Sequence, residues 1–154
     1  MQIRKGTKED LPQVLDLIKE LAEYEKAPQE VDNTLERMER DGFGPEKVFD
    51  FIVAEEEGKI IALALYFWSY STWKGKCMYL EDLVVTLQHR RRGLGGLLFK
   101  ELIRIAKEKD ARRLSWQVLD WNEPAIEFYK TIGAELDGGW INGRLTYEQL
   151  KNSL

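Results

Sequence analysis

Three short stretches of this 154-residue chain hold side chains suited to chemistry. The first, "HRRRGLGGLLFKELI" (89–103), sets Arg90, Arg91 and Arg92 against Gly93, Gly95 and Gly96 and then runs into an apolar helical pattern. The first turn of a helix has unpaired N–H groups and the positive end of the peptide dipoles, and glycines let a ligand approach both. Arginines there add a forked donor that matches phosphate oxygens, so a pyrophosphate is the natural guest. A tight turn with solvated arginines is the plainer reading. The second stretch, "MYLEDLVV" (78–85), puts Glu81 and Asp82 inside an apolar strand pattern, where neighbours leave opposite faces. One of these carboxylates can face a cleft, bind an ammonium group and accept its proton through a water; a strand-end ion pair is the alternative. The third, "NEPAIEFYK" (122–130), brings Tyr129 near the end of a short helix. Its phenol is protonated at neutral pH and can donate. By pattern alone, Phe128 and Tyr129 also suit a core.

Several functions are excluded or disfavoured. A Walker loop needs Gly-Lys-Ser/Thr, and the dinucleotide fingerprint needs a different glycine spacing; neither is present. Net charge is −4, and without the three arginines the rest of the chain would stand at −7, a poor general binder of nucleic acid. One cysteine, Cys77, and one histidine, His89, are too few for a structural zinc site, so no metal is expected. Cys77 lies in an apolar pattern and reads as a buried thiol rather than a nucleophile forming an acyl-enzyme. The longest apolar run, Ile60 to Trp68, is strand-sized and Met1 to Asp10 is too polar for a signal peptide, so no membrane span and a cytoplasmic protein are expected.

The elements that must position these groups follow from periodicity. Residues 1–6 read as a strand. Asp10 is suited to cap a helix in which Pro12 is tolerated and Gln13 closes a capping box, with Leu11, Val14, Leu15, Ile18, Leu21 and Ala22 as its buried stripe. A second helix runs from Thr34 to Arg40 and stops at Gly42. Val48–Glu55 and Lys59–Tyr70 form a hairpin across Glu56-Glu57-Gly58, and Lys76–Thr86 is a third strand. Leu97, Leu98, Leu102, Ile105 and Ala106 mark the helix after the arginines, Leu114–Leu119 a further strand, Asn122–Lys130 a short helix, and 134–146 one or two terminal strands. The order is β-αα-βββ-α-β-α-β, an α/β chain expected to form a single domain over 1–154 with helices on both faces of one mixed sheet.

Arg90-Arg91-Arg92-Gly93-Leu94-Gly95 resembles Arg/Gln-x-x-Gly-x-Gly/Ala, the pyrophosphate signature of the GNAT superfamily of acetyl-CoA-dependent N-acetyltransferases. "LIKELAEYE" (17–25), "DGFG" (41–44), "YLEDLVV" (79–85) and "WNEPAIEFYKTIGA" (121–134) are similar, in order, to blocks of its diamine branch, the spermidine/spermine and thialysine acetyltransferases. The resemblance implies a mostly antiparallel twisted sheet, acetyl-CoA as co-substrate, and direct attack by a primary amine of a small cation in a ternary complex. It implies that Leu83, Val84 and Val85 offer backbone groups to the pantetheine arm. It adds that Arg90–Gly96, including Leu94, hold the diphosphate and that Asn122, Ala125 and Tyr129 touch the cofactor, although Asn122 is equally well a helix cap. Tyr129 becomes the general acid, Glu81 the substrate-contacting base, Asp82 an orienting group, and Tyr24 with Glu25 the residues that meet the amine. Such an enzyme must deprotonate an amine that at pH 7 is neutral in only about one molecule in 2,500, a deficit of roughly 4.6 kcal/mol. Relatives in the branch are typically homodimers, which makes the 140–147 tail a candidate partner strand. In "LDGGW" (136–140), Gly138 stands where the branch carries a substrate-contacting glutamate, unless Asp137 serves by a shifted register. The acceptor is then a polyamine or diamine, or alternatively thialysine or another small amine; a non-catalytic acyl-CoA-binding module is the remaining alternative.

Overall fold

The computed structural model describes residues 1–152. It divides into two compact units, 1–117 and 118 onward. In the first, the order is β1 (Gln2–Lys5), α1 (Leu11–Tyr24), α2 (Leu35–Phe43), β2 (Asp50–Glu56), β3 (Lys59–Ser71), β4 (Gly75–Val85), α3 (Leu94–Glu108) and β5 (Leu114–Ser115). The sheet order is β1-β2-β3-β4-β5, antiparallel throughout except for the parallel β4–β5 pair. The expected mixed, mostly antiparallel sheet is therefore present.

Strand alternation divides the core into two layers. Phe51, Val53, Leu63, Leu65 and Val84 share a cluster with Leu11, Val14 and Leu17 of α1 and Met38 of α2. The intervening residues Ile52, Ala54, Ala62 and Ala64 are equally buried and point the other way. There α3 packs on β2, β3 and β4 and buries Leu98, Leu102 and Ala106. Helices thus cover both faces, each burying its apolar stripe at roughly 1.5–3 kcal/mol per large side chain.

Asp10 precedes α1 but does not cap it. Its carboxylate accepts from the Thr7 N–H at 2.8 Å and from Arg4 Nη1 and Nη2 at 2.7 and 2.9 Å. It closes a capping box on the preceding 3-10 turn, Lys8–Asp10. Gln13, in turn, has no capping role: its Oε1 accepts from the Ile60 N–H at 2.9 Å, fastening α1 to β3. A charged partner on β1 and an open sheet amide outcompete the local caps, and neither is visible to spacing rules. Thr34 does cap α2, accepting from the Arg37 N–H, and the helix runs three residues past Arg40 before Gly44 ends it.

The second unit contains α4 (Glu123–Thr131) and α5 (Tyr147–Asn152). Asn122 caps α4, its Oδ1 accepting from the Ala125 N–H at 3.4 Å. The expected terminal strands over 134–146 are not formed, and the order ends in two helices. A strand needs an edge to bond, and no other strand lies in 118–152. Trp140 and Ile141 are correspondingly 83% and 98% exposed. The strand expected over Leu114–Leu119 is likewise reduced to two residues, which bears on the site.

Candidate functional site

The turn after β4 has the geometry expected of an anion pocket. Gly93 stands at φ +76° as the N-cap of α3, a left-handed conformation that suits glycine, and a side chain added there or at Gly96 would meet nothing within 4 Å. The first helical bond runs from the Leu97 N–H to the Gly93 carbonyl, so the amides of Leu94, Gly95 and Gly96 have no partner further back in the helix. Open space above unpaired amides is what a diphosphate requires, and these residues fit that group.

The three arginines have three different fates. Arg90 turns inward: its Nε donates to the Val85 carbonyl at 3.1 Å and its guanidinium lies 4.9 Å from the centroid of the Tyr24 ring. Arg91 sits at φ +65°, exposed, and forms no salt bridge among the described residues. Arg92 is paired with Glu56, Nη2 to Oε1 at 2.9 Å and Nη1 to Oε2 at 3.1 Å. His89 joins this pair, with Nε2 3.7 Å from Glu56 and Nδ1 sharing a 2.8 Å hydrogen bond with Thr86 Oγ1. A second tie, from the Leu87 N–H to Glu20 at 2.9 Å, fastens α1 to the same segment. Sequence reading missed Glu56 and this use of Glu20; the only signal was an acidic turn in a chain with one basic cluster.

Strand β4 departs from regularity where chemistry was expected. Leu65 pairs with Asp82 and Tyr66 with Leu80, which leaves Glu81 as the extra residue of a β-bulge. The alternation argument for Glu81 and Asp82 fails at a bulge, and the structure separates the two by environment instead. Glu81 is exposed, whereas Asp82 is half-buried on the α1 side of the sheet, opposite Leu65. Burial pushes the Asp82 carboxyl up to about 7, with the charges of Glu81 and then Glu25 adding to it. Glu25, the residue that ends α1, is also raised by burial. The charges of Glu81 and Glu25 thus act on Asp82 from its own strand and from the end of α1.

Beyond the bulge the strand opens. Pairing of β4 with β5 is confined to Met78 with Leu114 and Tyr79 with Ser115, so the edge over Leu80–Val85 has no strand partner on that side among the described residues. The ladder ends at Tyr79 and Ser115, and β5 ends with it. The open edge leaves backbone groups within Leu83–Val85, apart from the Val85 carbonyl that Arg90 engages, able to hydrogen-bond an extended guest, as a missing strand would.

Within the second unit, Tyr129 is buried at 8% exposure beside Phe128, the ring centroids 5.4 Å apart. Asn122 is buried and serves as a cap, one of the two roles open to it. Asp137 accepts from the Gly139 N–H at 2.8 Å, a local turn, and Gly138 opens onto empty space. Cys77 is fully buried in β4, its thiol donating to the Gly75 carbonyl. Among the described residues no group of three or more His, Cys, Asp or Glu could hold a metal, and no helix is long and apolar enough to cross a membrane.

Known proteins resemble this arrangement over most of its length. The sequence profile of the acetyltransferase (GNAT) family matches residues 11–134. The thialysine N-epsilon-acetyltransferase of Bos taurus is 38% identical over 143 residues, 88% of this chain and 84% of that protein. The spermidine/spermine N(1)-acetyltransferase-like protein 1 of Homo sapiens is 34% identical across 97% of this chain, which corresponds to 23% of that longer protein. Among solved structures, an integron cassette protein from the mobile metagenome of V. cholerae superposes with a TM-score of 0.79 at 26% identity, covering 97% of this chain and 94% of the other.

Proposed function

The chain belongs to the GNAT family of acetyltransferases, and from that premise we propose that it acetylates a primary amine of a small cation, with acetyl-CoA as donor and without a covalent acyl-enzyme. The observation that supports this reading most directly is the unpaired β4 edge running into the glycine turn, a backbone track that ends in an anion pocket. Leu83, Val84 and Val85 would hold the carrier's arm and the amides of Leu94, Gly95 and Gly96 its diphosphate. Arg91, exposed at the turn, would add charge, and Asn122 and Ala125 are assigned to the cofactor by resemblance. Bound there, the carrier supplies a thioester as acyl donor.

The residues of the chain handle the protons. Glu25, Glu81 and Asp82 would hold the ammonium, and Tyr24 gives that group an aromatic neighbour. Asp82, with its proton affinity placed near neutrality, is matched to accept the proton the amine must lose, and Glu81 at the bulge would relay it through water. Tyr129 would keep a proton on its phenol oxygen for the departing sulfur. Each carboxylate also gives a cationic acceptor an orientation that a neutral analogue lacks.

Between acceptor classes, a thialysine-like amine is supported by the 38% identical relative and by Gly138, which offers no second acidic contact. A polyamine or diamine is supported by the extra carboxylates Glu23, Glu30 and Asp32 near the end of α1. Measuring thiol released from acetyl-CoA with thialysine, lysine, putrescine and spermidine separates them. Turnover with none of a broad amine panel overturns the catalytic reading and leaves a binding module. The family profile spans both compact units, which supports reading 1–154 as one domain. The reading includes a cytoplasmic homodimer without nucleic-acid or metal partners, with light scattering as the check on assembly.

A further inference from the structure

Glu56 ends β2, and the turn that follows is tightly specified: Glu57 and Gly58 both adopt positive φ, +51° and +77°. The carboxylate is therefore held on a short hairpin rather than on a loose loop, and both of its oxygens engage the Arg92 fork. His89 Nε2 lies 3.7 Å from the same carboxylate, with its Nδ1 anchored on Thr86. A guanidinium that grips a carboxylate through two parallel N–H bonds presents the same fork it would present to two phosphate oxygens. Arg92 cannot offer that fork to both at once. A phosphate arriving at the turn must therefore displace Glu56 or bind beside an uncancelled negative charge.

We propose that Glu56 is a built-in competitor for a phosphate of coenzyme A: it occupies Arg92 until that phosphate displaces it, and so sets how tightly the carrier is held and how readily it leaves. This inference rests on the acyl-carrier reading of the Gly93 turn. It makes Glu56 an affinity-setting residue that never touches the reacting atoms. The competing phosphate is either part of the diphosphate or the 3′-phosphate on the ribose, and the two are distinguishable because dephospho-coenzyme A lacks only the latter.

The test is calorimetric titration of coenzyme A into the full-length protein and into Glu56→Gln, Arg92→Gln, the double variant and Glu57→Gln. Glu57 is the control, because its substitution removes the same charge one residue further on, from an exposed side chain without a salt bridge to Arg92. Exposed ion pairs are weak, so Glu56→Gln should tighten binding by about threefold. Arg92→Gln should weaken it, and in that background removing Glu56 should change nothing beyond the Glu57→Gln effect. Unchanged or weaker binding in Glu56→Gln overturns the proposal, as does a gain matched by Glu57→Gln or a gain that persists without Arg92. If the gain holds with dephospho-coenzyme A, the diphosphate is the competitor; if it disappears, the 3′-phosphate is. No binding by the unmodified protein overturns the acyl-carrier reading and, with it, the competitor role of Glu56.

Discussion

The guanidinium of Arg90 stands over Tyr24, 4.9 Å from the ring centroid, while its Nε donates to the Val85 carbonyl. An arginine of the phosphate signature thus braces the end of α1, where the amine is proposed to bind. Arg90→Lys keeps the charge but loses the planar face and the Nε donor. A cation–π contact at a partly exposed site is worth about 0.5–1 kcal/mol, so the amine KM should rise roughly two- to fivefold. Acetyl-CoA affinity should move less. Steady-state kinetics with each substrate varied in turn reads the difference, and an effect confined to the acetyl-CoA constant would remove this role.

If Asp82 accepts the amine's proton, activity and stability should run in opposite directions with pH. Its carboxyl is raised to about 7 from an ordinary 3.8, so between those values the folded protein holds a proton that the unfolded chain does not. Stability conferred by that proton is complete below about 4 and declines as pH rises through 7. kcat/KM should instead rise across pH 7 as the carboxylate forms. Asp82→Asn should flatten the acidic limb of the rate profile, lower turnover and raise the thermal midpoint at pH 8 more than at pH 5.

Tyr129→Phe removes one hydroxyl from a buried ring. If that hydroxyl protonates the departing sulfur, kcat should fall by about 10²- to 10⁴-fold with coenzyme A affinity nearly unchanged. Single-turnover thiol release paired with calorimetry measures both. A rate within twofold of the parent assigns Tyr129 to packing alone.

Asp10 has the opposite titration behaviour from Asp82. Arg4 above all, helped by the Thr7 amide, holds its carboxyl below the usual carboxylate range despite burial. The contribution is present above the unfolded value near 4 and is lost as pH falls through the lower folded value. Asp10→Ala leaves Arg4 without that partner and should cost about 2 kcal/mol at pH 7, with a smaller loss at pH 3, read from denaturant melts.

Gly6 tests the fold without touching the site. A β-carbon there would lie 1.9 Å from the Phe51 ring, which is in the α1-side core. Gly6→Ala should therefore destabilise by about 1–3 kcal/mol through forced repacking. Pairing it with Phe51→Leu should recover part of that loss, which a double-mutant cycle would quantify.

Local chemistry was legible where a single element decides the outcome. The apolar stripe of α1, the hairpin across Glu56-Glu57-Gly58, the Asn122 cap and the Gly93 turn all follow from spacing and side-chain type. Features set by two distant segments were not. Asp10 and Gln13 follow capping patterns but bond to Arg4 and Ile60, because a fully charged partner and an unsatisfied sheet amide are stronger claims on those side chains. The bulge at Glu81 arises from register with β3, so the sequence gives no reason to expect two adjacent carboxylates to differ as Glu81 and Asp82 do. Strand propensity over 134–146 similarly had no edge within its own unit on which to be realised.

Glu81 is surplus to the hydrogen-bond ladder. A chain shortened by that one codon could zip Leu80 and Asp82 against Tyr66 and Leu65 as consecutive partners, producing a more uniform ribbon without its outward-facing acid. Random mutagenesis selected for robustness alone would be expected to recover that deletion, and mutagenesis selected for turnover would be expected to reject it.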